Sequence, residues 1–437
     1  MTQPPVTPFA ELQANWPHLS LEDRVKGFRK FTRDYREDLF LSLSSADQAE
    51  LVLTMPEHER RTYLRTLPPD DVADLIQEAG DDEKDGLMSL LDDVARTEVR
   101  ALLAYAEDDA GGLMSPRFAR LRPDMTVDEA ITYLRLQSRN METVYYAYVL
   151  DAQQRLLGVV SFREMFTSHG AKTIENIMHR DIISVQEETD QEEVARLFSQ
   201  HDLAAIPVVN ASGVMRGIVT VDDIVDVVQE EATEDIQKIG GMEALDAPYL
   251  DTGFFEMVRK RAGWLAVLFF GEMLTTHAMA HYEEEIARAV VLAVFIPLII
   301  SSGGNSGSQA STLVIRAMAL GEVRLKDWWK VVRREILSGL VLGGVLGLFG
   351  LARVVIWEWF GGTYGPHYFP IGLTVGLSLL GVIMFGTVAG SMLPFILRRL
   401  GFDPASASAP FVATLVDVTG LVIYFSLASY LLKGTLL

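Results

Sequence analysis

Asp417 is an acidic residue inside an apolar stretch that runs from Ala409 to Leu432. A carboxylate at bilayer depth is costly, so it normally faces a water-filled path, a partner or an ion. The competing interpretation is a carboxylate at the membrane edge that pairs with a basic residue. Because no Lys or Arg lies between Arg399 and Lys433, the sequence favours an ion-binding role for Asp417.

A second polar segment at membrane depth runs from Pro297 to Thr312. Its backbone and amide groups need partners from neighbouring helices or from a water-filled cavity. Small residues four apart, such as Gly303 and Gly307, also permit close helix packing. Asn305 and Gln309 are one helical turn apart and are harder to explain by packing, so the segment is predicted to lie beside a pore.

Carboxylates recur at helical spacing in the N-terminal half of the chain. Asp70 and Asp74 lie four residues apart, and so do Asp222 and Asp226. Like charges at this spacing destabilise an isolated helix. Mg²⁺ takes oxygen ligands, commonly one or two carboxylates together with water. The pattern indicates sites that a divalent cation would neutralise, and the alternative is a solvated acidic face screened by salt.

The negative charge is concentrated in one half of the chain. Residues 1–250 hold 47 acidic and 24 basic side chains, a net of −23, whereas residues 251–437 hold 12 and 14. An acidic half of this size repels nucleic acid and attracts cations, which argues against a nucleic-acid partner. The chain has no cysteine, which excludes disulfides and thiolate metal sites. Its polar, proline-rich beginning predicts no cleavable signal peptide.

Residues 1–112 are predicted to form an acidic helical domain. Apolar residues recur at helical spacing between Leu39 and Leu91. The segments around Ser44, Pro56 and Pro68 have the composition of helix starts. Short helices with brief connections indicate a compact, superhelical all-α bundle.

Residues 114–168 and 178–229 form an internal repeat, in which LGVVSFRE from Leu157 corresponds to RGIVTVDD from Arg216. Each copy predicts a helix, a strand, a turn, a strand and a helix. The two copies resemble a tandem pair of CBS domains, an α/β module that often binds adenine nucleotides. This pair is assigned to residues 113–230.

Five hydrophobic spans are predicted in a transmembrane domain of residues 255–437, each long enough to cross about 30 Å of hydrocarbon as a helix. They run from Ala262 to Ala280, Ile286 to Met318, Ile336 to Trp357, Ile371 to Leu397 and Ala409 to Leu432. Basic segments alternate with segments poor in Lys and Arg, which predicts cytosolic N-terminal domains and an external C-terminus. A helix from Thr233 to Asp251, within a connecting segment of residues 231–254, is predicted to lead into the first span.

The combination of these parts resembles the MgtE family of magnesium channels over nearly the whole chain. The matching motifs are YAEDDAGGLM from Tyr105, VTVDDIVDVVQEEATEDIQKIG from Val219, GGNSGSQASTLVIR from Gly303, LPFILRRLGFDP from Leu393 and PFVATLVDVTGLVIY from Pro410. The resemblance implies a non-enzymatic homodimer in the lipid of the cell's inner membrane, with Mg²⁺ as cargo and a pore on the two-fold axis.

The resemblance also implies roles for individual pore residues. Asp417 would be the pore ligand, with backbone carbonyls near Ala413 helping it, and Asp403 would lie at the cytosolic end of the pore. The chain departs from the family at Ala409, where an asparagine is usual, so the polar contribution of that side chain is missing. Asn305 and Gln309 complete the expected pore lining.

Regulatory magnesium ligands are implied in the same way. Asp70 and Asp74 would draw the N-terminal domain to the CBS pair. The other implied ligands are Glu192, Asp202, Asp222, Asp223 and Asp226 on the CBS pair and Glu231, Glu234 and Asp235 on the connecting plug helix. Cytosolic Mg²⁺ bound between these parts would turn repulsion into attraction and close the pore. ATP at the CBS pair is the implied modulator.

Three other functions compete with a channel. A gradient-coupled divalent-cation carrier would use Asp417 to take a proton or sodium. A nucleotide-sensing CBS membrane protein would use its spans only as an anchor, which Asp417 and the polar second span disfavour. A CBS-regulated membrane enzyme is disfavoured because the membrane half offers no nucleophile–base pair.

Overall fold

The computed structural model describes residues 12–436 apart from 14, 139, 140, 246, 248, 251 and 363. The chain forms two compact units, Met1–Val228 and Gln229–Leu437.

The first unit begins with a series of short helices, as predicted. They are α1 Leu21–Arg29, α2 Arg33–Leu41, α3 Ser45–Leu53, α4 Glu57–Leu64, α5 Pro69–Glu78, α6 Asp81–Leu90, α7 Asp93–Leu102 and α8 Ala110–Leu113. The predicted helix starts are confirmed, since Ser44, Pro56 and Pro68 are the residues that precede α3, α4 and α5. In α5 a further proline, Pro69, occupies the first helical position, which suits proline because the N–H that it lacks would have no intrahelical partner there.

Two repeated α/β segments follow. The first contains β1 Ala119–Leu121, α9 Val127–Gln137, β2 Tyr146–Leu150, β3 Leu156–Ser161 and α10 Phe162–Thr167; the second contains β4 Val185–Gln186, α11 Gln191–His201, β5 Ala205–Val209, β6 Met215–Thr220 and α12 Val221–Ile239. The predicted helix–strand–strand–helix order is confirmed. Each copy also has a first strand that the sequence analysis missed, parallel to the second strand of its sheet. These strands of three and two residues are too short to show an alternating pattern.

The two copies are joined by backbone hydrogen bonds. The Ser115 N–H donates to the Ile218 carbonyl at 2.8 Å, and the Leu156 N–H donates to the Gly213 carbonyl at 3.1 Å. A Cβ atom at Gly217 would lie 2.7 Å from the Ser115 carbonyl oxygen, so only glycine fits this crossing. The repeat therefore packs as one module.

The predicted connecting helix from Thr233 to Asp251 is wrong at both ends. The helix is α12, which begins at Val221 as the last helix of the second repeat and ends at Ile239. Gly240 follows, and Gly241 has a φ of +75°, a left-handed conformation that terminates helices and favours glycine. Asp251 lies outside the described residues.

The second unit contains the hydrophobic helices. They are α13 Phe254–His281, α14 Glu283–Arg288, α15 Val290–Ala293, α16 Ile296–Ala319, α17 Trp328–Gly361, α18 Tyr368–Arg399 and α19 Ala409–Leu431. Four segments in the described part of the chain are long and apolar enough to cross a membrane, namely Val290–Ala319, Leu325–Gly361, Gly365–Arg399 and Ala409–Leu431. They correspond to the second to fifth predicted spans. The first predicted span lies in the less apolar α13, and its crossing of the membrane stays a prediction.

Glycines set the closest helix contacts in this unit. A Cβ atom on Gly386 would lie 2.5 Å from the Gly303 carbonyl oxygen, and one on Gly390 would lie 2.2 Å from that of Gly307. These contacts advance in the same direction along both helices, so α16 and α18 are parallel. The packing interpretation of the small residues in the second span is therefore right for Gly303 and Gly307.

Candidate functional site

Asp417 lies two turns into α19, whose beginning is fixed by Ser408. The Ser408 hydroxyl accepts a hydrogen bond from the Phe411 N–H at 3.4 Å and another from the Trp264 indole N–H at 3.1 Å. The Asp417 side chain is half-buried, between buried Val416 and half-buried Val418. The carboxylate is thus held on a well-anchored helix while remaining partly accessible.

Helix α13 runs parallel to α19 and contacts it along most of its length. The Trp264 and Phe411 rings lie 6.3 Å apart at one end, and the Tyr282 and Phe425 rings are stacked 5.0 Å apart at the other. Residue offsets are nearly constant between the two contacts, as expected for parallel helices. The two contacts are 14 residues apart on α19, so α13 follows α19 over about 21 Å, at 1.5 Å per residue.

This register brings a second acidic residue to Asp417. The Glu272 carboxyl on α13 meets the Asp417 carboxyl and accepts a hydrogen bond from the Thr414 hydroxyl at 3.5 Å. Sequence reasoning missed Glu272, although a signal existed. Glu272 is the only Asp or Glu between Ala262 and Ala280, just as Asp417 is the only one in its own span.

Asn305 and Gln309 lie on one exposed face of α16, as the four-residue spacing predicts. Ser301 precedes them by one turn on the same face, and the Asn305 amide donates to its hydroxyl at 3.5 Å. All three side chains are exposed in the single chain. The opposite face of α16 is buried at its glycines. The segment that contains α16 is long and apolar enough to cross a membrane, yet one face of α16 is polar and exposed in the single chain.

Other polar groups of α16 bind the beginning of α19. The Ser308 hydroxyl donates to the Ala409 carbonyl at 3.0 Å, and the Ser311 hydroxyl donates to the Ala407 carbonyl at 2.8 Å. Ala413 packs near Gly304, where an added Cβ would lie 3.5 Å from the Ala413 Cα. These contacts fix the position of α19 along its axis relative to α16. They thereby also fix the position of Asp417 relative to Asn305 and Gln309.

Asp403 is paired with a lysine that the sequence analysis did not name. The Lys238 ammonium at the end of α12 lies 2.7 Å from Asp403 Oδ2 and also contacts the Glu234 carboxylate. Burial acts to lower the pKa of Lys238, but the hydrogen bonds to Asp403 and Glu234 outweigh it and raise the pKa. Asp403 Oδ1 accepts from the Ala405 N–H at 2.8 Å. Two candidate metal ligands, Asp403 and Glu234, are thus bridged by a side-chain cation.

The last turn of α12 is also held by apolar contacts. Ile239 packs against a small cluster of buried residues, Ile315, Ala405 and Ala407. Glu231 and Asp235, the other predicted acids of this segment, are half-buried on the preceding turns of α12. The end of the connecting helix therefore contacts the α18–α19 connection directly.

A second acidic group lies in the first unit, between α5 and the start of α12. Asp70 and Asp74 on α5 are near Asp223 on α12, as is Asp71, and Glu142 adds its charge to Asp70 and Asp71. Asp70 is only 6% exposed, and its Oδ1 has no hydrogen-bond partner among the described residues. The chain thus brings the Asp70–Asp74 face close to Asp223, and the role of these acids as Mg²⁺ ligands stays a prediction.

Burial and like charge both disfavour the ionised forms of these acids. Burial, followed by the neighbouring carboxylates, raises the pKa of Asp74 to about 7 and that of Asp71 to about 6. Burial is also the main cause that raises the pKa of Asp223 to about 7. The pKa of Asp70 is raised well above its usual range for the same reasons. Such a group is stabilised by a proton or by a metal cation.

The remaining predicted ligands of the CBS pair are placed differently. Asp226 contributes its charge to Asp71, and Asp222 accepts a hydrogen bond from the Thr220 hydroxyl. Glu192 and Asp202 lie at opposite ends of α11 and are exposed, so they cannot share one ion within a single chain. Within the described ranges, no three His, Cys, Asp or Glu side chains have the arrangement needed to enclose a metal ion.

Known families match the chain along its length. Residues 296–427 match the model of a divalent cation transporter family named MgtE. Residues 7–108 match the MgtE intracellular N domain, and residues 110–168 and 174–230 match the CBS domain.

Similar whole proteins are also known. The magnesium transporter MgtE of Thermus thermophilus is 39% identical over 427 residues, covering 97% of this chain and 93% of that protein. The magnesium transporter MgtE of Enterococcus faecalis is 32% identical over 438 residues, covering 92% and 94%. A crystal structure of the cytosolic domain of the Mg²⁺ channel MgtE in complex with ATP is 39% identical, covers 50% of this chain and 90% of that chain, and superposes with a TM-score of 0.48.

Proposed function

The chain belongs to the MgtE family of magnesium transporters, and we propose from this premise that it is a magnesium-selective channel whose ion path passes Asp417. Membership makes it a multi-pass membrane transporter with a cytosolic N-terminal region and Mg²⁺ as substrate, and not an enzyme. The observation that carries the channel proposal is the Asp417 carboxylate in α19, held at membrane depth on a helix without Lys or Arg. Such residues normally mark ion or proton paths.

A homodimer would complete the pore. Ser301, Asn305 and Gln309 form a polar face that the single chain leaves exposed. Lipid cannot satisfy the hydrogen bonds of such a face, whereas a water-filled path lined by two subunits can. Two Asp417 carboxylates would then flank one axis, with carbonyls near Ala413 adding ligands. Mg²⁺ dehydrates reluctantly, so a partly hydrated ion would be attracted and still be able to leave.

The acids between α5 and α12 support gating by cytosolic Mg²⁺. Asp70 presents a buried carboxylate oxygen with no hydrogen-bond partner among the described residues, next to Asp223. Carboxylate oxygens are the ligands that Mg²⁺ prefers, so the donor set fits this ion. Mg²⁺ bound there would hold the helical domain on the CBS pair, and its loss would release it. ATP bound to the CBS pair would modulate this equilibrium.

The docked end of α12 supports a mechanism for closure. Lys238 and Ile239 attach α12 to the α18–α19 connection through Asp403 and the Ala405 cluster. Movement of α12 would therefore be transmitted to the beginning of α19, eight residues before Asp417. Glu231 and Asp235 on the same helix would supply the additional acids through which cytosolic Mg²⁺ favours the closed position.

The directions of the helices support the proposed orientation. α13 and α19 run parallel to each other, and α16 runs parallel to α18. α16 runs antiparallel to α19, since Gly303 packs on Val416 and Gly307 on Val412. This alternation fits five crossings with an external C-terminus.

A gradient-coupled carrier is the second candidate function. The contact between the Glu272 and Asp417 carboxyls needs a cation or a proton between them, and a coupled carrier would exchange that proton. The test is Mg²⁺ uptake into proteoliposomes with defined proton and sodium gradients. A channel predicts uptake that follows the Mg²⁺ gradient and membrane voltage alone. Uptake that stops when the proton or sodium gradient is collapsed would establish the carrier instead.

A further inference from the structure

We infer that Glu272 is a second carboxylate of the ion path, so that each subunit presents Glu272 and Asp417 together to the passing cation. The inference rests on the proposed function, because it assigns a further residue to the Asp417 site. It comes from the contact of the two carboxyls and from the register of the parallel helices α13 and α19.

The two acids lie at similar depth. Glu272 is about 16 Å along α13 from Arg261, the last residue of the basic segment, and Asp417 is about 12 Å along α19 from Ala409, at 1.5 Å per residue. Both helices begin at the basic, cytosolic side. In the proposed arrangement of five crossings, neither carboxylate lies near the membrane edge, where snorkelling to the headgroups would relieve its cost. A hydrated ion path is the environment in which both can remain charged.

Two features on α13 and α19 position Glu272. Gly271 has no side chain, and a Cβ atom there would lie 2.6 Å from Thr414 Cγ2, so glycine permits the close approach of the two helices. The Thr414 hydroxyl then donates to Glu272 Oε1 at 3.5 Å. Glu272 is exposed in the single chain, and this hydrogen bond holds its carboxylate against α19, near Asp417.

A pair of carboxylates changes what the site prefers. One carboxylate attracts any cation, whereas two adjacent ones repel each other until a cation of higher charge lies between them. The gain from neutralising both is larger for a divalent than for a monovalent ion, since the energy of each contact scales with the ion's charge. Acidic groups in a pore supply this kind of cation selectivity. Glu272 is therefore assigned a role in the preference for Mg²⁺ over Na⁺.

The test compares Glu272→Gln with Glu283→Gln in the full-length protein in planar bilayers. Glu283 is an exposed acid just beyond the outer end of α13 and controls for a change of one charge. We expect E272Q to raise the half-saturating Mg²⁺ concentration about tenfold, the effect of removing one close charge contact, and to raise the Na⁺ current without Mg²⁺. E283Q should match the wild type, and Glu272→Asp should retain most of the Mg²⁺ preference.

The outcomes separate this inference from the proposed function. E272Q could show the wild-type half-saturating Mg²⁺ concentration and Na⁺ current while Asp417→Asn loses its Mg²⁺ current. That result would overturn the role of Glu272 and leave the proposed channel function standing. Wild-type Mg²⁺ current in both variants would overturn the proposed path itself. If E272Q does not assemble, Thr414→Val keeps the charge and removes its orienting hydroxyl. It should raise the half-saturating concentration about fivefold, the worth of one hydrogen bond, and an unchanged value would overturn the inference.

Discussion

The Lys238 ammonium lies 2.7 Å from the Asp403 carboxylate and joins the end of α12 to the α18–α19 connection. Glu234 contacts the same ammonium. A built-in cation therefore holds together two acids that the sequence analysis assigned to Mg²⁺. The Lys238 ion pair therefore helps to hold the end of α12 against the α18–α19 connection.

Replacing Lys238 by Met should weaken closure. The change leaves Asp403 and Glu234 close together without a counter-charge, so more Mg²⁺ is needed to hold α12 in place. For a half-exposed pair worth about 1 kcal/mol, the half-inhibitory cytosolic Mg²⁺ concentration should rise about fivefold. Inside-out patches measure this value. Lys330→Met removes an exposed pair with Asp327 and is the control; equal inhibition of both variants would exclude a role for Lys238.

The acids between α5 and α12 predict a pH dependence of stability without Mg²⁺. The pKa values of Asp74 and Asp223 are raised to about 7, whereas an unfolded Asp titrates near about 3.9. Between these values the folded state binds more protons than the unfolded state, so its free energy of unfolding falls as pH rises from about 4 to about 7. Chemical denaturation at several pH values measures this slope.

Magnesium should remove most of that slope, because a bound cation replaces the protons that the acids otherwise need. Monovalent salt at the same ionic strength is the control for general screening. A stability that stays constant from pH 4 to 7 in chelator would contradict the raised pKa values. A slope that Mg²⁺ leaves unchanged would contradict cation binding at this interface.

Asp70→Asn should change two properties of the helical domain in opposite directions, its protease resistance without Mg²⁺ and the added resistance that Mg²⁺ gives. The amide keeps the shape of the side chain and removes a buried negative charge, so the helical domain should resist proteolysis better in chelator. The added protection that Mg²⁺ gives should shrink, because a ligand is lost. Limited proteolysis at constant ionic strength measures both. Asp85→Asn, an exposed acid of the same domain, should behave as the wild type, and a D70N variant with full Mg²⁺ protection would remove Asp70 from the site.

Gly390→Ala tests the close crossing of α16 and α18. The added Cβ would lie 2.2 Å from the Gly307 carbonyl oxygen, and overpacking of this kind costs about 1–3 kcal/mol. The variant should lose thermal stability in detergent. Gly344→Ala on α17 has no atom within 4 Å of its added Cβ and should be neutral. Equal melting temperatures for the two variants would show that the helices can separate at this crossing.

Apolar residues at helical spacing, the internal repeat and the long hydrophobic spans were sufficient to predict much of the fold. The helix starts at Ser44, Pro56 and Pro68 are local properties of the chain, and the order of elements in the repeat follows from its internal similarity. The resemblance to the MgtE family, carried by the Gly303 and Pro410 motifs, is confirmed by full-length relatives. The predicted connecting helix extends too far, because the helix ends at Ile239 and is followed by Gly240 and the left-handed Gly241.

The contacts of the candidate site were less predictable than its individual acids. The spacing of Asp70 and Asp74 identified a helix face, but their proximity to Asp223 depends on packing between distant segments. Glu272 and Lys238 were missed for the same reason. The role of each depends on the residue that it contacts on another helix or connection, Asp417 for Glu272 and Asp403 for Lys238. A lone acid in a predicted span was nevertheless a usable signal for Glu272.

The most direct test of the ion path is the single-channel Mg²⁺ current of Asp417→Asn, with Mg²⁺ set separately on the two faces of a bilayer. The side chain keeps its size and loses its charge, so assembly should be preserved while the attraction for the cation is lost. We predict no resolvable Mg²⁺ current from a variant that elutes and melts as the wild type does. Mg²⁺ currents of wild-type size from the same variant would contradict the central role of Asp417.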